Sequence, residues 1–349
     1  MKKTFTIALA TLASLGIQAQ TQVTEFNPGV VAGGVNYALP KTVLHVGVSA
    51  QKIVYTPGEF AKYANRYLHI GNVSNEPSTD WQVTSLLVHQ EGTPDTSKVF
   101  TVKLKDKSIA PMVQLSPNGV LLAVNTTADV EAPAPEAQRS TNHRLEARQY
   151  LTEEILTATS SAKMAELTAQ EILDIRESKN SIKRGQVESM PQDGASLKLV
   201  LDELNAQEAA LTQLFTGYTD TTFMTKTYSL LPMEDIDRKV LFRFSRKLGF
   251  VDADDLAGEP YFVSVRDRHT VVLPDEHEAA KRKVTGLVYN MPSMAKVTIN
   301  TMQSTIYDHE LPFAQFGTID MLNPTLFNKG ATTKLTLNPA TGGIQQLQQ

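Results

Sequence analysis

The chain has 349 residues, with 33 Lys and Arg against 37 Asp and Glu and a formal net charge of −4. Hydrophobic residues make up 41% and charged residues 20%, which excludes disordered and collagen-like classes. The near-balanced charge gives no general basic field for nucleic acid, and the lack of cysteine removes disulfides, thiol chemistry and thiolate metal sites.

Met1 to Ala19 reads as a secretory signal peptide: Lys2 and Lys3 start it, Phe5 to Ile17 is mostly apolar, and Ile17-Gln18-Ala19 forms a cleavage site. The apolar stretch is shorter than the ~20 residues that span a bilayer, and polar sequence follows it. Removing residues 1–19 leaves 330 residues (349 less 19) and takes away two lysines, so the charge moves from −4 to −6. The expectation is an exported protein, periplasmic or beyond, with no lipid anchor because there is no Cys to carry one.

Residues 20–125 read as a β-rich module. Pro57 to Leu68 predicts one short helix, with Phe60, Tyr63, Ala64 and Tyr67 on one face. Phe100 to Lys105 alternates apolar and polar residues as a strand, and Asn118-Gly119 marks a tight turn between apolar runs. Residues 126–141 contain Glu131-Ala132-Pro133-Ala134-Pro135-Glu136, an extended linker or loop, because each proline fixes its own φ and disfavours helix before it.

Residues 142–217 predict an antiparallel helical hairpin. Met164, Leu167, Ile172, Ile175 and Ile182 keep a helical phase, and Lys183-Arg184-Gly185 suits a helix end. Helix restarts after Met190-Pro191-Gln192-Asp193 and carries the stripe Leu197, Val200, Leu201, Leu204, Leu211 and Leu214 to Gly217. Residues 218–349 return to strands, with Val240, Phe242 and Phe244 in one alternation and Tyr261, Val263 and Val265 in another.

An internal echo links the two β-rich ends. Gly34 to Pro40 (GVNYALP) matches Gly286 to Pro292 (GLVYNMP) at an offset of 252, and Gln51, Val54 and Tyr55 meet Gln303, Ile306 and Tyr307. Phe60 to Ala64 matches Phe313 to Gly317, which predicts a short helix in each copy. Ser116 to Gly119 and Asn338 to Gly343 then supply a turn before a final strand in each. The fold class expected is α+β: two β-rich modules, either duplicated or alike by chance, joined by the helical hairpin.

Local chemistry is sparse. The histidines His45, His69, His89, His143, His269, His277 and His309 form no HExxH, and no two stand three or four apart. Asp275-Glu276-His277-Glu278 reads as a solvated helix start or loop and Asp308-His309-Glu310 as a strand-to-helix cap, with a metal site as the competing reading if they converge. The run Val251 to Glu259 fails the EF-hand spacing and reads as an acidic turn, an irregular calcium loop being the alternative. Gly29 to Gly34 has the wrong glycine spacing for a dinucleotide, Lys281-Arg282-Lys283 is too short for nucleic acid, and there is no GxSxG elbow, no SxxK with its partner motifs and no Walker loop. No catalytic, cofactor-binding or metal residue is assigned.

Tyr37 to Thr42, Tyr55 to Ala64, Ile172 to Ser178, Met190 to Gly194, Leu201 to Leu204, Phe242 to Ser245 and Gly249 to Val251 together resemble an uncharacterised family of secreted Bacteroidota proteins. The resemblance covers most of the chain after the leader and implies export and single-unit organisation, but no active site. The expected function is a non-enzymatic envelope protein that binds a protein or glycan partner. The alternatives are a hydrolase with carboxylates gathered by the fold, though Trp81 is the single tryptophan for a sugar platform, and an assembly factor using sheet edges.

Overall fold

The computed structural model describes residues 34–103, 113–129, 140–141, 143–187, 193–274, 286–323, 326 and 333–348. The leader at 1–19, Gly29 to Gly33, the Ala/Pro run 131–136, Met190 to Gln192, Asp275 to Glu278 and Lys281 to Lys283 lie outside the described residues. The fold is mixed α+β, rich in strand, with three sheets and few helices.

One sheet has the order β2 (Ser78–Lys103), β1 (Gly34–Thr56), β5 (Tyr218–Leu230). A second runs β10 (Thr305–Leu322), β9 (Leu287–Asn300), β8 (Glu259–Asp267), β6 (Ile236–Ser245), β7 (Gly249–Val251). Alternation decides how they meet: Leu44, Val46, Val48 and Ala50 of β1 share a core with Val263 and Val265 of β8 and Ala295, Val297 and Ile299 of β9. Phe242, Phe244, Phe313 and Phe316 fill it out. Each such side chain contributes about 1.5–3 kcal/mol by leaving water, so this sandwich is the main source of stability. Trp81 of β2 ties its edge, its backbone N–H donating to the Arg246 carbonyl (2.7 Å) and its indole lying on Gly249, where a Cβ would stand 2.9 Å from the ring.

The third sheet, β12 (Ile344–Gln348), β11 (Lys334–Leu337), β4 (Leu121–Val124), β3 (Val113–Leu115), closes a second core with Tyr37, Leu39, Leu287 and Val288. The two long hairpins, β1/β2 and β9/β10, enter this core through the same irregularity. Pairing steps from Pro40↔Pro94 to Ala38↔Val99 in one and from Ser293↔Phe313 to Met291↔Thr318 in the other, so residues 95–98 and 314–317 bulge out. Beyond each bulge a glycine of a tight turn accepts a backbone bond: Ala38 N–H donates to Gly119 (2.9 Å) and Asn290 N–H to Gly342 (3.1 Å). Both glycines have positive φ, +84° and +69°.

The turn Asn338 to Gly343 is buried where the hairpins meet. Thr42 Oγ1, fully buried, donates to the Ala340 carbonyl (3.0 Å) and accepts from Ala314 N–H (3.1 Å). Asn290 Nδ2 donates to the carbonyls of Pro40 (3.0 Å) and Thr341 (2.8 Å), and the Tyr37 hydroxyl bonds both backbone groups of Val288. These bonds correct one expectation: Phe313 to Gly317 is not a helix but the bulge of β10. Gln315 there spends its amide on the Thr42 backbone and the Pro232 carbonyl, which holds the segment extended.

After β1 a 3₁₀ turn at Ala61–Tyr63 leads into α1 (Ala64–Leu68), starting later than Pro57 because Phe60 N–H is bonded to the Leu214 carbonyl (2.7 Å). The single turn α2 (Glu153–Leu156) precedes α3 (Ser161–Lys183), capped by Ser160, and α4 (Gly194–Thr216), capped by Asp193 and ended at Gly217 with φ +70°. Ala165, Ala169, Ile172 and Ile175 of α3 pack on Leu211 and Phe215 of α4 and on Phe60, Ala64 and Leu68. Arg176 and Lys179 bind Glu208, and Lys179 also reaches Asn205, so the two helices run in opposite directions.

Candidate functional site

Of the residues singled out as possible metal ligands, the described ones, Asp308, His309 and Glu310, form no ligand group. Asp308, His309 and Glu310 lie within β10, not at a strand-to-helix cap: Asp308 pairs with Lys296 (3.1 Å), Glu310 with Arg268 (3.0 Å), and the His309 ring rests against Tyr307. In the acidic turn after β7, the carbonyls of Ala253 and Gly258 accept from the Arg243 guanidinium at 2.7 and 3.0 Å, so a side-chain cation already occupies its concave side. Among the described residues no group of three His, Asp or Glu side chains is placed to hold a metal ion. His69 and His269 hold left-handed turns, and His143 is bonded to the Thr219 carbonyl (2.9 Å).

What the fold does gather is a polar row across the outer face of the three-stranded sheet. His45 of β1 stands opposite His89 of β2 and Ser229 of β5, and Glu91 is the diagonal neighbour on the same face. Ser229 Oγ lies 2.8 Å from His45 Nδ1, and His45 Nε2 lies 3.2 Å from a Glu91 carboxylate oxygen. The two imidazoles stack with centroids 5.1 Å apart. Burial, aided by any charge on His45, holds the His89 imidazole below the ordinary histidine range, against the opposing pull of Glu91. His89 Nδ1 is buried with no hydrogen-bond partner among the described residues. Period-two alternation puts His45 on the face opposite Leu44 and Val46, but His45 and Ser229 are 184 residues apart, so no local spacing signals the row.

The second feature is an edge. β12 ends its sheet, all five of its residues are exposed, and Ile344-Gln345-Gln346-Leu347-Gln348 carries no charge. The other long edge strands are blunted: β2 contains Pro94, Asp95 and a bulge, β10 carries Asp308 and Glu310, and β5 carries Asp220 and Lys226 and is met at Thr221 by Thr141. Among the described edge strands longer than three residues, β12 alone is uncharged. No described helix is long and apolar enough to cross a membrane.

No curated protein and no solved structure matches the chain. A family model does match, over residues 33–345, from the start of β1 into β12, taking in all three sheets and the helices between them. The chain therefore belongs to the family described as a domain of unknown function, DUF4831.

Proposed function

We propose that the protein is an exported cell-envelope protein that docks a partner protein by accepting an extended segment of it along β12. The single observation that carries this reading is the uncharged edge: folded proteins ordinarily place charge or Pro on such a strand, and β12 has neither, its pairing with β11 being interrupted at Gln345 alone. A row of backbone donors and acceptors beside Ile344 and Leu347, 38% and 40% exposed, offers main-chain bonds for affinity and two apolar contacts for register. A protein partner fits this edge better than a glycan, which has no strand to add. Export rests on the leader at Met1 to Ala19, and the native protein is expected to begin at Gln20 by N-terminal mass analysis.

The reading of two related β units is supported by the matched bulges at 95–98 and 314–317. It is also supported by the Ala38–Gly119 and Asn290–Gly342 bonds, whose donors stand at the offset of 252 found in the sequence. In that arrangement the first unit's counterpart of β12 is β4, which is covered by β11, so among the described strands the second unit's last strand is the one left at a sheet edge.

The test places a photo-crosslinking residue at Gln346 in the native envelope and compares it with the same protein carrying Leu347→Lys. A stoichiometric protein adduct that Leu347→Lys abolishes, with an unchanged melting temperature, is the expected result. Recovery of the bare chain, or an adduct indifferent to the added lysine, overturns the docking edge.

A further inference from the structure

We propose that Ser229 is a nucleophile for acyl transfer, with His45 as its base, a chemistry separate from docking at β12. Three observations meet at one point. Ser229 Oγ is 2.8 Å from His45 Nδ1, and His45 Nε2 is 3.2 Å from Glu91, a chain of nucleophile, base and orienting carboxylate. Ser229 is exposed at the sheet edge, so an acyl group can reach it.

The third observation comes from strand parity. Thr221 N–H and C=O bond Thr141 at 3.2 and 2.9 Å, so both groups of Thr221 face away from β1. β5 keeps unbroken register with β1 from Thr56↔Tyr218 to Leu44↔Leu230. Alternate residues of a strand present their backbone groups to the same side, so the N–H of Ser229, eight positions on, also faces the open edge. Among the described residues it has no partner. A free backbone N–H on the nucleophile's own residue is a donor for the oxyanion that its attack creates. Burial disfavours a charge on His89, which stacks on His45 where the imidazolium forms.

The substrate class is an ester whose acyl part is an extended chain able to lie along β5. Ser229 Oγ attacks the acyl carbon and its proton passes to His45 Nδ1, while Glu91 holds the Nε2–H. The tetrahedral oxyanion rests on Ser229 N–H, and the ester C–O bond breaks as the departing alcohol takes the proton from Nδ1. Water then attacks the acyl-serine, giving its proton to His45, which returns it to Ser229 Oγ. The products are a carboxylic acid and the alcohol, with no change of oxidation state.

The test uses the chain from Gln20 onward with a fluorophosphonate probe, peptide mapping by mass spectrometry, and p-nitrophenyl butyrate hydrolysis. Label is expected on the peptide containing Ser229, falling about tenfold or more in Ser229→Ala and in His45→Gln, with an intermediate loss in Glu91→Gln. Unchanged circular dichroism melts separate lost chemistry from lost folding, since Ser229 lies on the surface. Absence of label at Ser229 in the wild type, or equal labelling and hydrolysis in folded Ser229→Ala, overturns the assignment.

Discussion

His89 binds a proton less readily in the fold than in the unfolded chain, because its ring is desolvated and His45 is stacked on it. A histidine with a lowered folded value stabilises the native state above its unfolded value and withdraws that stability as pH falls below it. Stability measured by urea titration is therefore expected to decline below about pH 6.5, the ordinary histidine range, and to level off once the folded protein also takes up the proton. His89→Gln should flatten that decline, and an unaltered acid limb would assign it to other groups. The site is more difficult to see in the sequence than its chemistry suggests. His45, His89 and Ser229 are ordinary alternating strand residues, and only pairing of β1 with both β2 and β5 makes them neighbours.

At the level of elements, the helical pair depends on one carboxylate. Glu208 is largely buried; burial works against its charge, but Lys179 and Arg176 together outweigh that and hold it below the usual carboxylate range. Glu208→Ala would leave two cations facing each other on α3. The expected cost is about 1–2 kcal/mol, discounted because Arg176 is 40% exposed, and faster amide exchange confined to α3 and α4 is the readout. Loss spread evenly over the sandwich would contradict it. These helices were the most legible part of the chain, since Ser160, Asp193 and Gly217 are local signals that need no knowledge of the rest. The strands β6 and β8 were legible for the same reason, through the alternation of Phe242 with Phe244 and of Val263 with Val265. The segment Phe313 to Gly317 was not, because a distant threonine decides its shape: Ala314 bonds Thr42, 272 residues away.

Across the whole molecule, Thr42 is where β1, the bulge of β10 and the turn Asn338 to Gly343 are joined. Thr42→Val keeps the volume but orphans the Ala340 carbonyl and the Ala314 N–H, both inside the protein. The expected loss is about 2–4 kcal/mol, two unsatisfied buried groups at about 1–2 kcal/mol each, read as a lower urea midpoint at unchanged slope. A shift under about 0.5 kcal/mol would mean the three parts are held by packing alone. None of this joint is written locally: the Asn338 to Gly343 run announces a turn, but nothing in it announces burial.

The position of that turn also has a consequence in time. Ala340 stands 298 residues beyond Thr42, yet its carbonyl accepts the Thr42 hydroxyl, while Gly342 of the same turn accepts from Asn290 and the turn sits against Pro40 and Pro292. The first hairpin can form early, but it cannot lock against the second until residues 338–343 are available. Long-range closure of this kind is slow, because the loop must be ordered before its contacts repay it. A chain built this way stays unlocked while the segment between its hairpins is still being threaded, and sets only when that distant turn arrives.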